Sequence, residues 1–353
     1  MPPSRSLVLT FDRDAVPLGE VLDLQVGALR AAHDAGDLVA TELLRGVGQD
    51  AETGETPETA GELTLQAARD AIARDHGYAG WAQAREHAHV MADTRFEAAA
   101  DAIQWGELNA LTDLLDTHPA LIEMRSPFPH HCTLLQHVAA NGIEVERQLQ
   151  SPQNAADIMR LLLDHGAEPD AACDLYGGGP GMTTMCLLVS SCVPAVAGVQ
   201  EALVEVLCAG GAAANGPEDD GKPLKTAVDF GYTPAAEALV RCGARVDNLA
   251  LCAALGDLSG VRSRFGADGA GALIDSAGEA AAMGVPQEHV LEEALGGAAL
   301  HGRREVVEFL LGKDPDLSYA DPGFGATARG AALYNGHTEI AALIDQASRP
   351  VPG

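Results

Sequence analysis

The stretch IMRLLLDHGAEPDA at 158–171 decides the fold. An apolar helical run ends in Gly-Ala, and an acidic turn follows. The same unit returns as LVEVLCAGGAAANG at 203–216 and as EALVRCGARVDN at 237–248. Upstream lie shorter Ala-rich helices closed by glycine: LLQHVAANG at 134–142, KTAVDFG at 225–231, GAALHG at 297–302 and ARGAALYNG at 328–336. Each glycine supplies the positive-φ residue that ends a helix without steric cost. Gly302 to Gly336 is 34 residues, Gly198 to Gly231 is 33, and Gly106 to Gly142 is 36. Such self-similarity is the signature of a repeat architecture.

A period near 33, made of helix, tight glycine turn, helix and hairpin loop, resembles the ankyrin repeat. YNGHTEIAALI (334–344) and GRREVVEFLL (302–311) match that family at the junction of its two helices. The resemblance implies an all-α ankyrin-repeat solenoid of helix-turn-helix units, each burying its apolar face against the next. Seven units are expected, some degenerate, over 93–348: about 96–126, 127–173, 174–218, 219–248, 249–273, 290–322 and 323–348, with 349–353 a tail. The second carries an insertion near 143–153, and the third a glycine-rich finger at 174–182 and an extended turn around 193–198. The fifth is short, and 274–289 reads as an irregular connector.

Residues 1–92 do not repeat and read as a small helical N-terminal domain with an acidic loop at 48–60. Helical spacing runs through 18–47 and again through 63–89, where His76-Gly77 breaks it. HGYAGW at 76–81 resembles a segment that precedes ankyrin repeats in a group of bacterial proteins, with Tyr78 and Trp81 expected as core plugs. HHCTLLQHVAANGIE (130–144), the run at 152–171, LYGGG (175–179) and AGVQEALVEVLCAGGA (197–212) resemble a particular bacterial ankyrin subfamily. The likeness implies the architecture and a binding role. Where the group's pattern reads LLHY, this chain has Leu134-Leu135-Gln136-His137.

The formal charge of −29 repels phosphate backbones and anionic headgroups, so neither nucleic acid nor a membrane surface is an expected partner. It serves solubility or attracts a cationic partner. No apolar run approaches the roughly 18–20 residues of a membrane span. The start, MPPSRSLVLTFDRDAV, holds too short an apolar stretch for a signal peptide. Seven scattered cysteines give no disulfide framework, so a reducing cytoplasm is expected.

In this architecture a partner meets the finger loops and the residues just before each helix-closing glycine. Among those, Trp105, Phe230 and Tyr334 are aromatic, and His301 and Asn141 are polar. Aromatics at such positions are frequent interface anchors, although each also suits plain packing. The fingers add His130, His131, Cys132, Tyr176, Gly177 and Gly178, with His137 below; Glu144, Asn154 and Gln200 fall at subfamily motif positions. His131, His137 and Glu144 are the acid–base candidates if the chain is an enzyme. Cys132, beside two histidines, is the one thiol whose pKa its surroundings would lower. No zinc spacing and no phosphate-cradling motif is present, so neither metal nor cofactor is expected. The expectation is an intracellular protein that binds a protein or peptide on its concave face and finger loops. The alternative is a small-molecule pocket or atypical enzyme at about 127–218.

Overall fold

The computed structural model describes residues 10–37, 40, 41, 43, 44, 63–141, 144–174, 181–266 and 269–348. The acidic loop at 48–60, the tail, and Tyr176, Gly177 and Gly178 of the finger lie outside the described residues. The described residues form an all-α repeat of paired helices with only short two-stranded hairpins, and they fall into two compact units divided at 217/218.

Three helix pairs belong to the first unit: Thr94–Trp105 with Leu108–Thr117, Leu134–His137 with Ala155–Asp164, and Thr184–Ser190 with Gln200–Ala209. Four belong to the second: Lys222–Asp229 with Thr233–Arg241, Leu249–Leu255 with Leu258–Ser263, Val290–Leu300 with Arg304–Leu311, and Ala328–Tyr334 with Thr338–Ala347. Most first helices open on polar caps, the exceptions being Lys222–Asp229 and Val290–Leu300. Thr183, Asn248 and Thr327 accept from Cys186, Leu251 and Gly330 N–H at 3.2, 3.0 and 3.2 Å, and Thr133 forms a capping box with Gln136. The fingers between pairs are minimal hairpins, such as Ala172–Cys173 against Met182–Thr183 and the bridge between Ala320 and Thr327.

The closing glycines do two things at once. Gly106 (φ 72°) and Gly231 (φ 77°) adopt the left-handed turn, and each is covered by a polar side chain from a later repeat. A Cβ on Gly106 would sit 2.7 Å from Asn154 Oδ1, and one on Gly231 2.7 Å from Asn335 Nδ2. The second pair departs from the pattern: its left-handed residue is Ala140 (φ 45°), and its first helix is a single turn.

The connector is more ordered than its sequence suggests. Ser276–Met283 is a helix, followed by a 3₁₀ turn at Gln287–His289. Asp275 caps it by accepting from Gly278 N–H at 2.8 Å, and Gly284 (φ 72°) closes it. Good helix formers between a cap and a glycine override the absence of a repeat signature.

Ahead of the repeats, Ala15–Pro17 pairs antiparallel with Met91–Asp93. Helix Leu18–Asp34 packs on Leu65–Asp75, which Gly77 (φ 87°) terminates before Trp81–Glu86. Leu22, Leu29, Ile72 and Tyr78 form this core, and Phe128 from the repeat region lies within it. Among the described residues no helix is long and apolar enough to cross a membrane.

Candidate functional site

Two places in the molecule concentrate polar chemistry. The first lies inside the first unit, where the helical turn Val145–Gln148 folds back on helix Thr94–Trp105. Glu144 is fully buried there. Its Oε1 accepts from His130 Nε2 at 2.9 Å, and its Oε2 accepts from Arg147 Nη1. His130 Nδ1 already accepts the Cys132 N–H at 3.2 Å, which places the ring proton on Nε2, facing Glu144. Arg147 also donates through Nη2 to Glu97 at 2.7 Å and through Nε to Asp101 at 2.8 Å. His76 Nδ1 lies 3.9 Å from Glu144 Oε1; its Nε2 donates to Gln25 at 2.8 Å, and its ring stacks on Phe128 at 3.8 Å. The cluster thereby joins the N-terminal segment to the first two repeats.

Its electrostatics follow from burial with too few cations. Burial pushes the Glu97 carboxyl up; Arg147 opposes this, the Glu144 and Asp101 charges add to it, and the result is about 7. Glu144 is raised by the same burial, but Arg147, His130 and His137 more than offset it and hold it well below the usual carboxylate range. Burial depresses His137 to about 3, so its ring is neutral. His137 Nδ1 lies 3.3 Å from Gln148 Nε2, while its buried Nε2 has no hydrogen-bond partner among the described residues.

The expected site residues therefore separate. His130, His137 and Glu144 come together, each 1 % exposed or less. His131 does not join them: it is half-exposed, with Nδ1 2.8 Å from Asp174 Oδ2. An acid–base pair of Glu144 with His131 is thus not formed, and Glu144 with His137 presents no surface to a substrate. Cys132 is buried, and its thiol is raised rather than lowered, first by a hydrogen bond with Cys173 and then by burial. Among the described residues no group of three or more His, Cys, Asp or Glu is arranged to hold a metal ion.

Most of the polar motif residues hold repeats together. Asn154 Nδ2 donates to Gly106 O at 2.9 Å, and Asn141 Nδ2 to Ser190 Oγ at 2.9 Å. Gln200 Nε2 donates to Leu188 O and Ser191 O at 2.9 and 3.1 Å, closing the extended turn. His301 is buried, with Nε2 donating to Val228 O at 2.9 Å and Nδ1 accepting from Thr233 Oγ1 at 2.7 Å. These side chains satisfy carbonyls left open where helices end.

The second place is the groove of the second unit. First helices Lys222–Asp229, Leu249–Leu255, Val290–Leu300 and Ala328–Tyr334 line it with the finger at 319–326, around a cavity of about 290 Å³. Phe230 and Phe324 are 41 % and 63 % exposed and meet edge to face at 5.7 Å. Tyr334 is 81 % exposed, whereas Trp105, in the first unit, is half-buried. The carboxylates of Asp229, Glu292, Glu293 and Asp321 face this cavity alongside a single lysine, Lys225.

Sequence reasoning missed Arg147, Glu97, Phe324 and Glu292. Arg147 had a signal, since it stands three residues after Glu144 on a helical turn. Phe324 had none, because its neighbour Phe230 is 94 residues away.

No family model matches the chain, and no curated protein does either. Among solved structures, the crystal structure of the human ASB11 ankyrin repeat domain is similar at 16 % identity and a TM-score of 0.39, over 72 % of this chain and 99 % of that one. The repeat class rests on the chain's own helix–glycine–helix–hairpin units.

Proposed function

We propose that the chain is a binding protein whose second unit receives a protein or peptide partner along its groove. The observation that carries this reading is the Phe230–Phe324 pair, exposed beside an acid-lined cavity. Exposed aromatics at the mouth of a concave surface are what interface hot spots use, and a folded chain gains nothing from wetting them. The acidic lining and the −29 charge of the whole chain favour a cationic partner and disfavour nucleic acid. Residence in a reducing cytoplasm belongs to the same reading, and the seven cysteines are all free thiols.

The acid–base alternative has less support, because Glu144 and His137 have no exposed surface through which to reach a substrate. The buried cluster suits a brace between repeats. Selection from a displayed library of random 12-residue peptides tests the binding reading. Wild type is expected to enrich a sequence family that Phe230→Ala/Phe324→Ala loses, with an unchanged melting curve. Equal enrichment by the folded variant would sink the reading.

A further inference from the structure

The cavity of the second unit carries more chemistry than an open groove needs. Its floor is apolar, formed by Val228, Leu251, Met283 and Leu300. Around that floor stand four carboxylates, and their hydrogen bonds can be followed one by one. Asp229 takes Lys225 Nζ at 2.7 Å. Asp321 is occupied by its own loop, accepting the N–H groups of Gly323, Phe324 and Ala326 at 2.9, 2.8 and 3.1 Å. Glu293 accepts the Tyr319 hydroxyl at 2.6 Å. Glu292 accepts the Asp316 N–H through Oε1 at 2.8 Å, but its Oε2 is shielded from solvent and has no hydrogen-bond partner among the described residues.

Of the four carboxylates, only Asp229 is paired with a cation among the described residues, so the lining carries an excess of negative charge. Burial and the nearby Asp321 charge both raise the Asp229 carboxyl, while Lys225 opposes them, which reflects the same excess of negative charge. Tyr319 and Phe324 supply aromatic faces on the same wall, and such faces attract cations.

We propose that this cavity holds a lysine or arginine side chain of the bound peptide, its apolar stem on the floor and its cationic head toward Glu292 and Glu293. The inference rests on the groove reading above and names what the groove selects. A volume of about 290 Å³ lies at the bottom of the roughly 300–1,000 Å³ usual for small-molecule sites, so it suits one side chain. Phe324 both lines the cavity and packs on exposed Phe230, so a side chain in the cavity continues into a chain lying across the aromatic pair. That continuity favours a peptide over a free amine.

The test uses the full chain and the peptide-display selection described above. Selected peptides are expected to share one obligatory Lys or Arg. Replacing it by norleucine in a synthetic peptide should weaken binding to wild type by at least about tenfold. In Glu292→Gln/Glu293→Gln the same replacement should change affinity by less than about threefold. Glutamine keeps the bonds to the Asp316 N–H and the Tyr319 hydroxyl, so the cavity retains its shape while losing charge. Peptides that bind without a basic position, or that tolerate norleucine in wild type, overturn the cavity assignment and leave the groove reading standing. A folded wild-type protein that enriches no peptide overturns both.

Discussion

His130 Nε2 lies 2.9 Å from Glu144 Oε1, and neither side chain has more than 1 % of its surface exposed. Around this contact the chain has built a charged core at the joint between its N-terminal segment and its first two repeats. A buried ion network of this kind adds little over a well-packed apolar core, but breaking one member leaves uncompensated charge. Four consequences of the architecture are measurable.

Arg147 is the cation that Glu97, Asp101 and Glu144 share. Arg147→Met is expected to cost about 3–5 kcal/mol in urea unfolding. Adding Glu97→Gln should recover part of that loss, because one of the stranded charges disappears. No recovery would mean that the guanidinium matters for its packing and not for its charge.

Glu97 titrates near 7 in the folded chain, against an ordinary 4.5. A raised carboxyl binds its proton more tightly when folded. Its contribution is therefore full below about pH 4.5 and is lost as pH rises through about 7. Glu97→Gln mimics the protonated form, so it should match wild type near pH 5 and be about 1–3 kcal/mol more stable at pH 8.5. Urea midpoints across that range decide the matter.

His137 shows the opposite sign. Its folded value of about 3 lies below the ordinary 6.5, so its contribution is full above pH 6.5 and is lost as pH falls toward 3. Glu144, held low, loses its contribution as pH drops below the carboxylate range. Between pH 7 and 5 wild type should lose about 2 kcal/mol through His137 alone. His137→Leu should flatten that part of the acid limb, and an unchanged slope would contradict the assignment.

Gly106 and Asn154 form a matched pair across two repeats. Gly106→Ala should cost about 1–3 kcal/mol from its positive φ and the contact with the Asn154 amide. Asn154→Ala should cost about 1 kcal/mol for the lost hydrogen bond. The double variant should be less destabilised than the sum, because one of the two atoms a Cβ at Gly106 would strike is gone, while Pro152 Cβ at 2.9 Å remains. Strict additivity would show that the two residues do not act together.

The repeats were legible because each is specified within about 33 residues. The apolar runs and the glycines at 106, 198, 231, 302 and 336 fix helices and turns locally, and all five glycines adopt positive φ. Phe230 and Tyr334, just before helix-closing glycines, are both exposed. By contrast, His301 occupies the same register and turns inward, because Thr233 and Val228 O stand within reach from another repeat.

The sequence by itself determined the repeat, the all-helical class and the acidic character, which depend on short-range periodicity and composition. Tertiary structure alone decided that Glu144 faces inward to His130 while His131 faces outward to Asp174, and that Glu292 stands beside Glu293, Asp229 and Asp321 around one cavity. The physical reason is that burial and charge pairing are properties of surfaces brought together from different repeats. Glu97 and Arg147 stand 50 residues apart, and no local pattern encodes their meeting.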